Sequence, residues 1–251
     1  MKFSCKDLIQ LTAFSFMMLS ATSSIHAENK VIYKNPSVVK VTAGDSVSSG
    51  LLVKQENNNF FFVVSDHMFT GNTEDICVFF GQSQYGLNAI IHNRGGDTVD
   101  LALIRINTDL IELDEHSSLI QEASYEEGVQ LYAIGYDLSG KLLIKKGKVI
   151  YVLNNALEGG YDVGISADIE KGMSGGGIFD EKGRLIAITS VHADPLWETQ
   201  LYYESGEAVG KKKSALISKY SMGISAKRLD QYLMKQEPIR QEFQSSQCSQ
   251  R

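Results

Sequence analysis

Residues 172–180 read Gly172-Met173-Ser174-Gly175-Gly176-Gly177-Ile178-Phe179-Asp180, so one serine lies in a run rich in glycine. A serine hydroxyl attacks a carbonyl group effectively only when a base takes its proton and nearby N–H groups stabilise the oxyanion. Because glycine lets the backbone turn sharply, the N–H groups of Gly172 and Ser174 can point at one spot. A glycine-rich hairpin turn would have the same composition, so the interpretation depends on residues elsewhere in the chain.

Two upstream residues are candidate partners for this serine. A catalytic serine needs a base, here a histidine, and a carboxylate that holds the base in the right tautomer. His67 closes the strand-like run at 60–66, which is apolar up to Val64, and Asp100 directly precedes another apolar run at 101–106. Both therefore lie where a strand meets a loop, a place from which a rigid scaffold can hold side chains toward a cleft. Asp97 is the competing carboxylate, but it is typical of a Gly-Gly-Asp turn, so Asp100 is predicted.

The order His67, Asp100, Ser174, with the local sequence at each, resembles the chymotrypsin/trypsin-like serine peptidases, in particular bacterial exported members without a PDZ domain. The resemblance extends over about residues 38–234. It implies that Ser174 is the nucleophile, His67 the general base and acid, and Asp100 the orienting carboxylate. The N–H groups of Gly172 and Ser174 would then form the oxyanion hole.

The remaining sequence predicts an all-β fold. Many short apolar segments are separated by Gly and Asn turns, which indicates a sandwich or a pair of barrels rather than a parallel sheet. The resemblance selects two Greek-key β-barrels, chymotrypsin-like, with a short C-terminal helix. The predicted division is a signal peptide at 1–27, a first barrel at 28–120, a second barrel with the helix at 121–237, and a polar tail at 238–251.

The C-terminal helix has its own sequence signals. Ser225 is a suitable N-cap, Leu229 and Leu233 lie four residues apart on one face, and Pro238 prevents extension. The polar residues beyond are expected to fray. The basic run Lys211-Lys212-Lys213 is interpreted as part of a solvated loop.

The resemblance also suggests residues that contact the substrate. Asp168 precedes Ser174 by six residues, where trypsin-like members carry the carboxylate that binds a basic side chain; facing solvent is the alternative. Ser190, Val191 and His192 should form the edge along which an extended peptide pairs, with Ser190 also bonding to Asp100. The chain at 193–220 is either a hairpin that covers the second barrel or a loop over the cleft.

In animal members of the family, a new N-terminal amine pairs with an aspartate just before the nucleophile. Met173 takes that position here and cannot accept an ion pair. We therefore expect that activation does not depend on a newly cut N-terminal amine, and that the enzyme is competent once it is exported and folded.

The N-terminal segment predicts export. Lys2 and Lys6 precede a short apolar run at 8–19 and small residues up to Ala27, which is typical of a secretory signal peptide and too short to span a bilayer. The localisation is therefore secreted or periplasmic, with no membrane span after cleavage. The formal net charge of the full chain is −6, which argues against nucleic acid as a partner. The expected partners are protein or peptide substrates, and no cofactor or metal is expected.

Two of the three cysteines, Cys77 and Cys248, would survive removal of the leader. Cys77 lies in an apolar segment and is interpreted as a small core residue, whereas Cys248 lies in the polar tail. The sequence therefore predicts a domain that folds without disulfides.

Three other functions share parts of this pattern. The run 172–176 also fits the G-x-S-x-G nucleophile elbow of α/β-hydrolases, which needs a helix directly after the serine. Glycine costs about 1 kcal/mol per residue inside a helix, and no acid-bearing segment fits between Ser174 and His192, so this fold is excluded. A catalytically silent binding or adhesion module on the same scaffold is the main alternative. An esterase that uses the same triad is a third possibility.

Overall fold

The computed structural model describes residues 31–33, 38–70, 75–109, 111–113, 123, 125–191, 200–236, 238 and 242–249. The leader predicted at 1–27 lies outside these residues. The strands are β1 (Val31–Tyr33), β2 (Val38–Ala43), β3 (Ser46–Glu56), β4 (Asn59–Val64), β5 (Ile76–Phe79), β6 (Tyr85–Asn88), β7 (Ile90–Arg94), β8 (Ala102–Asn107), β9 (Ile111–Leu113), β10 (Gln130–Tyr136), β11 (Leu142–Val152), β12 (Val163–Ile165), β13 (Gly177–Phe179), β14 (Leu185–Val191), β15 (Ser221–Ser225) and β16 (Gln247–Ser249). In the described part of the chain, no helix is both long and apolar enough to cross a bilayer.

The strands form two main sheets. The first has eight strands in the order β16-β6-β5-β2-β3-β4-β8-β7 and curls into a half-barrel, and the second is a closed barrel in the order β10-β11-β12-β15-β14-β13. A short parallel pair, β1 with β9, stands apart from both. The chymotrypsin-like, all-β architecture predicted from the sequence is confirmed, with the first unit an open, curled sheet.

Strand β4 shows why both faces of the first sheet are apolar. Successive side chains of a strand point to opposite faces. Phe60, Phe62 and Val64 pack inside the half-barrel, whereas Phe61 and Val63 belong to a cluster that also contains side chains from the closed barrel. The uninterrupted apolar run before His67 is therefore buried on both faces, which fixes the end of this strand at the junction of the two sheets.

Two α-helices lie in the described residues, α1 (Lys211–Ile217) and α2 (Ala226–Leu233). Helix α2 is the predicted C-terminal helix, and its N-cap Ser225 accepts a hydrogen bond from the backbone N–H of Arg228 at 3.4 Å. Helix α1 contradicts the loop interpretation of the lysine run. Its three lysines are exposed while Ile217 is buried, so a short amphipathic helix forms where charge alone suggested a loop.

The polar tail also differs from its prediction. Residues 247–249 form β16, which pairs antiparallel with β6, and Ser245 and Ser246 bond to Asn107 and Asn88 of the first sheet. A disulfide joins Cys248 to Cys77, with the two Cα atoms 6.3 Å apart. The predictions of a frayed tail and of a disulfide-free domain are therefore wrong. The tail instead adds an edge strand to the first sheet and is covalently attached to it.

This disulfide should contribute measurably to stability. It closes a loop over a sequence separation of 171 residues, and removing such a crosslink releases chain entropy in the unfolded state. We expect reduction, or the Cys248→Ser substitution, to lower the free energy of unfolding by about 2–5 kcal/mol. Urea unfolding with and without reductant measures this directly. A Cys248→Ser variant as stable as the oxidised wild type would contradict the prediction. As a control, reductant should leave the free energy of unfolding of this variant unchanged, because the variant has no disulfide to reduce.

Candidate active site

His67 and Asp100 form a tightly coupled pair in the first sheet unit. His67 lies in a 3₁₀ turn, Asp66–Phe69, directly after β4, and Asp100 directly precedes the segment that leads into β8. The Asp100 Oδ2 atom is 2.7 Å from Nδ1 of His67, and its Oδ1 atom accepts the backbone N–H of His67 at 2.8 Å. Two contacts from one carboxylate fix both the position and the ring orientation of the histidine.

A second ion pair lies next to His67, at the residue that precedes it. Asp66 is held by Arg94, whose Nε and NH2 groups donate to its two carboxylate oxygens at 2.6 and 2.9 Å. The Asp100 side chain is buried, whereas half of the His67 side chain is exposed. The histidine can therefore reach a molecule in solvent while its partner stays out of water.

The electrostatics of the pair favour a histidine that binds a proton readily. The hydrogen bond to Asp100 raises the pKa of His67 above its ordinary value of 6.5, and this outweighs the opposing effect of burial. Burial opposes ionisation of Asp100, but hydrogen bonds from His67 and Ser190 outweigh it and hold the pKa of the carboxyl below its usual range. Asp100 is thus a carboxylate at neutral pH and stabilises a protonated His67.

Ser190 connects this pair to Ser174. Its hydroxyl donates to Oδ2 of Asp100 at 2.5 Å, and its carbonyl accepts the hydroxyl of Ser174 at 2.8 Å. Ser190 lies in β14 of the closed barrel, so one residue links the serine and the carboxylate across the two sheets. The hydroxyl of Ser174 is therefore bonded to Ser190 rather than to His67.

Tyr161 is a site residue that sequence reasoning missed. Its hydroxyl donates to Oδ2 of Asp100 at 3.0 Å, from the closed-barrel side of the cleft. Burial, followed by the charge of Asp100, raises the pKa of Tyr161, so it remains a neutral donor. The backbone N–H of Asp100 also donates to the carbonyl of Gly159 at 2.9 Å. The segment around 159–161 therefore holds Asp100 from the second unit, a contact that no local motif indicates.

The glycines around Ser174 are required by the geometry of the turn. Gly172 has a φ of +94° and Gly175 a φ of +83°, a backbone conformation that favours glycine. A Cβ atom on Gly175 would lie 2.1 Å from the carbonyl oxygen of Ser49. The turn therefore rests directly on strand β3 of the first sheet.

The amides at this turn are available to a ligand. No described residue accepts a hydrogen bond from the backbone N–H of Gly172 or of Ser174, whereas the N–H groups of Met173, Gly175 and Gly176 are all bonded. Ser174 itself is half-buried. These are the two N–H groups that the sequence assigned to the oxyanion hole, and an oxyanion requires donors that are not already bonded.

The four residues predicted to contact the substrate, Asp168, Ser190, Val191 and His192, lie in different surroundings or outside the described residues. Asp168 is exposed, so it is not the buried carboxylate on which recognition of a basic side chain was predicted to depend. Ser190 bonds to Asp100, as described above. Val191 is the last residue of β14 and its backbone pairs with Met222. His192 lies outside the described residues, as does the segment up to 199.

A cavity of ≈ 1350 Å³ lies beside His67 and Asp100. Its lining also includes Val99, Glu158, Tyr161 and residues of α2, so both sheet units contribute to it, whereas Ser174 is not part of the lining. Within the part of the chain that the structure describes, no cluster of His, Cys, Asp and Glu side chains is arranged to hold a metal ion. The side chains with catalytic potential that the structure describes here are the hydroxyl of Ser174, the imidazole of His67 and the carboxylate of Asp100.

Comparison with known proteins identifies a family. Residues 48–188 match the sequence profile described as the trypsin-like peptidase domain, which spans more than half of the chain and includes His67, Asp100 and Ser174. No curated protein matches the sequence.

Several solved proteases share the fold. The M. tuberculosis H37Rv protein Rv3671c, in an inactive form, has a TM-score of 0.57 at 16% identity, over 81% of this chain and 89% of that chain. The HtrA-type protease AlgW with a tripeptide has a TM-score of 0.59 at 18% identity, over 79% and 59%. The serine endoprotease from Yersinia pestis has a TM-score of 0.56 at 17% identity, over 80% and 62%. At these identities the likeness concerns the fold alone.

Proposed function

Since this chain belongs to the trypsin-like peptidase family and is a serine endopeptidase, we propose that Ser174, His67 and Asp100 are its catalytic triad and that it acts after export. The observation that carries the proposal is the chain of contacts through Ser190. The Ser174 hydroxyl lies 2.8 Å from the carbonyl oxygen of Ser190, and the Ser190 hydroxyl lies 2.5 Å from Asp100 Oδ2. The same Oδ2 atom lies 2.7 Å from Nδ1 of His67.

In the proposed reaction, the hydroxyl of Ser174 leaves the Ser190 carbonyl by rotation about its Cα–Cβ bond and turns toward Nε2 of His67. His67 takes the hydroxyl proton while Oγ forms a bond to the peptide carbonyl carbon, and the amides of Gly172 and Ser174 bind the oxyanion. His67, now protonated and stabilised by Asp100, gives its proton to the leaving amine as the C–N bond breaks. Water then attacks the acyl-enzyme with His67 as base, which releases the carboxylic acid and restores Ser174.

Export is supported by two independent features. The N-terminal segment has the pattern of a secretory leader, and the disulfide between Cys77 and Cys248 is of a kind that persists in oxidising compartments. We propose that the protein acts outside the cytoplasm on protein or peptide substrates and does not require nucleic acid. A specificity for basic side chains through Asp168 is not part of the proposal, because that side chain is exposed.

An unbiased peptide library tests the proposal and measures specificity in the same experiment. The wild-type protein should cleave internal peptide bonds, and mass spectrometry of the products gives the side-chain preference at each position. Cleavage should disappear when Ser174 is replaced with alanine. A library left intact by folded, oxidised wild-type protein would contradict the proposal, and turnover of esters alone would favour the esterase alternative.

The pH dependence of kcat/KM should reflect the coupling of His67 to Asp100. The base must be neutral to accept a proton, so activity rises with pH as His67 loses its proton. Because the hydrogen bond to Asp100 raises the pKa of His67, the midpoint of this rise should lie above 6.5. Steady-state assays from about pH 5 to 9 measure it. A midpoint at or below 6.5 would show that the coupling does not exist in solution.

Tyr161 should tune the same pair. The Tyr161→Phe substitution removes one donor from Asp100 Oδ2, which concentrates the carboxylate charge on His67 and moves the acidic midpoint to higher pH. The plateau value of kcat/KM should fall about 10- to 100-fold, since a hydrogen bond to a charged group contributes roughly 1.5–3 kcal/mol. Tyr151→Phe is the matched control, because Tyr151 is buried with its hydroxyl on the carbonyl of Ile217. Identical pH profiles for both variants would rule out the tuning role.

A further inference from the structure

Two consecutive serines of the first sheet hold the turn that carries Ser174. The Ser48 hydroxyl and the Ser49 backbone N–H both donate to the carbonyl of Ser174, at 2.7 and 2.8 Å. The Ser49 hydroxyl donates to the carbonyl of Gly172 at 2.9 Å and accepts the backbone N–H of Tyr136 at 2.7 Å. Both serines are buried. Their contacts therefore join strand β3, the end of strand β10 and the nucleophile turn at one point.

The carbonyl of Met173, which lies between those of Gly172 and Ser174 in the chain, is held by residues of the closed barrel. Met173 accepts the Thr189 hydroxyl at 2.5 Å and the backbone N–H of Gly176 at 3.0 Å. Because a peptide C=O and the N–H of the next residue point in opposite directions, fixing the carbonyl of Met173 also fixes the direction of the N–H of Ser174. One donor of the oxyanion hole is thus set by Thr189.

The other donor depends on Gly172, where the backbone has more freedom. Glycine adopts positive and negative φ with similar ease, so the peptide units on either side of Gly172 could rotate unless something holds them. On its C-terminal side, the peptide to Met173 is held at both ends. Its N–H donates to the carbonyl of Glu170 at 3.1 Å, and its C=O accepts the hydroxyl of Ser49.

We propose that Ser49 is a positioning residue of the oxyanion hole: its hydroxyl bridges the Gly172 carbonyl and the Tyr136 N–H, and so fixes where Gly172, whose own N–H is one donor of the hole, lies against the first sheet. The inference rests on the proposed function, since it assigns a role within that catalytic site. The contact does not depend on an ion pair at Met173, whose side chain is uncharged and fully buried. The hole is therefore held by hydroxyl groups of the fold itself.

Ser48 provides a matched control for Ser49. The two residues are adjacent, equally buried and both bonded to the same turn. Removing the Ser48 hydroxyl leaves the carbonyl of Ser174 with a second donor, the N–H of Ser49. Removing the Ser49 hydroxyl takes away the side-chain donor of the Gly172 carbonyl and the side-chain acceptor of the Tyr136 N–H. The two variants thus differ in whether Gly172 loses its contact with the first sheet.

The test compares wild type, Ser48→Ala, Ser49→Ala and Ser49→Cys with p-nitrophenyl acetate as substrate. Titration with a fluorophosphonate gives the fraction of molecules with a reactive Ser174, so that kcat is expressed per active site. Ser49→Cys fills the volume of the hydroxyl with a weak donor and serves if the alanine variant does not fold. Complete loss of an oxyanion-hole donor costs roughly 10²- to 10³-fold in kcat, so displacing one should cost about 10- to 100-fold.

The expected result is a loss of this size in kcat for the Ser49 variants, with KM within about twofold of wild type, because the interaction is made in the transition state. Ser48→Ala should lose less than about threefold, in line with a partly satisfied neutral hydrogen bond. A Ser49 variant that keeps wild-type kcat per titrated site would overturn the positioning role, even if fewer molecules were folded. Wild-type protein that neither labels nor turns over the ester would instead overturn the proposed function, and the positioning role with it.

Discussion

Replacing Ser174 with alanine should abolish peptide cleavage while the protein remains folded. Without the hydroxyl no acyl-enzyme can form, and losses of about 10⁶-fold in kcat are expected when such a nucleophile is removed. The residual rate, about 10³- to 10⁴-fold over water, would come from the oxyanion hole and substrate binding. The fold should tolerate the change because the backbone contacts of the turn, including the two donors to the Ser174 carbonyl, do not involve its side chain.

The measurement is kcat/KM for a peptide taken from the library, together with the thermal unfolding midpoint. Ser83→Ala is a suitable control, since Ser83 is an exposed serine in the turn between β5 and β6 of the first sheet. The control should retain full activity. If Ser174→Ala cleaved peptides at the rate of wild type, some other residue would have to be the nucleophile.

Replacing Asp100 with asparagine should cost about 10⁴-fold in kcat. The substitution keeps the size of the side chain but removes its charge, and the amide favours the wrong tautomer of His67. Asp100 accepts hydrogen bonds from the backbone and ring of His67, from Ser190 and from Tyr161. Because four donors face a group that would now carry an NH₂, at least one contact becomes unfavourable.

Asp97→Asn is the control for that experiment. Asp97 precedes Asp100 by three residues and is exposed, in the turn that the sequence assigned to it. Its variant should keep wild-type kcat. A loss in the Asp97 variant comparable to that in Asp100→Asn would contradict the assignment of the orienting carboxylate.

The fold was predictable because its signals are local. An apolar run such as 60–64 marks a strand through its aromatic and β-branched residues, and glycine or asparagine marks the turns between strands. The helix that begins at Ala226 is indicated in the sequence by its N-cap, Ser225. His67, Asp100 and Ser174 could be selected because each interrupts such a pattern with a residue type that carries chemistry.

The parts that sequence reasoning missed are contacts between distant segments. Tyr161 reaches Asp100 because a turn with positive φ at Gly159 and Gly160 brings the second unit against Val99, where a Cβ on Gly160 would lie 2.8 Å from the Val99 side chain. The hydroxyl of Ser49 acquires its role from the way two sheets meet. Neither relation appears in the spacing of residues along the chain.

The cysteines illustrate the same limit. Cys77 lies in a strand that looks like ordinary core, and Cys248 follows 171 residues later in a polar segment. Pairing the tail with β6 brings the two within disulfide geometry, and this depends on main-chain hydrogen bonds available to almost any sequence. Hydrophobic periodicity could not have predicted it.

The central claim is that the hydroxyl of Ser174 is a reactive, catalytic nucleophile. Treatment of the folded, oxidised protein with a fluorophosphonate, followed by mass spectrometry of its peptides, tests this most directly. We expect one phosphonyl group on Ser174, and its loss when His67 is replaced with alanine. Folded protein that stays unlabelled, or that carries the label on another residue, would contradict the claim and favour a binding module that no longer cleaves.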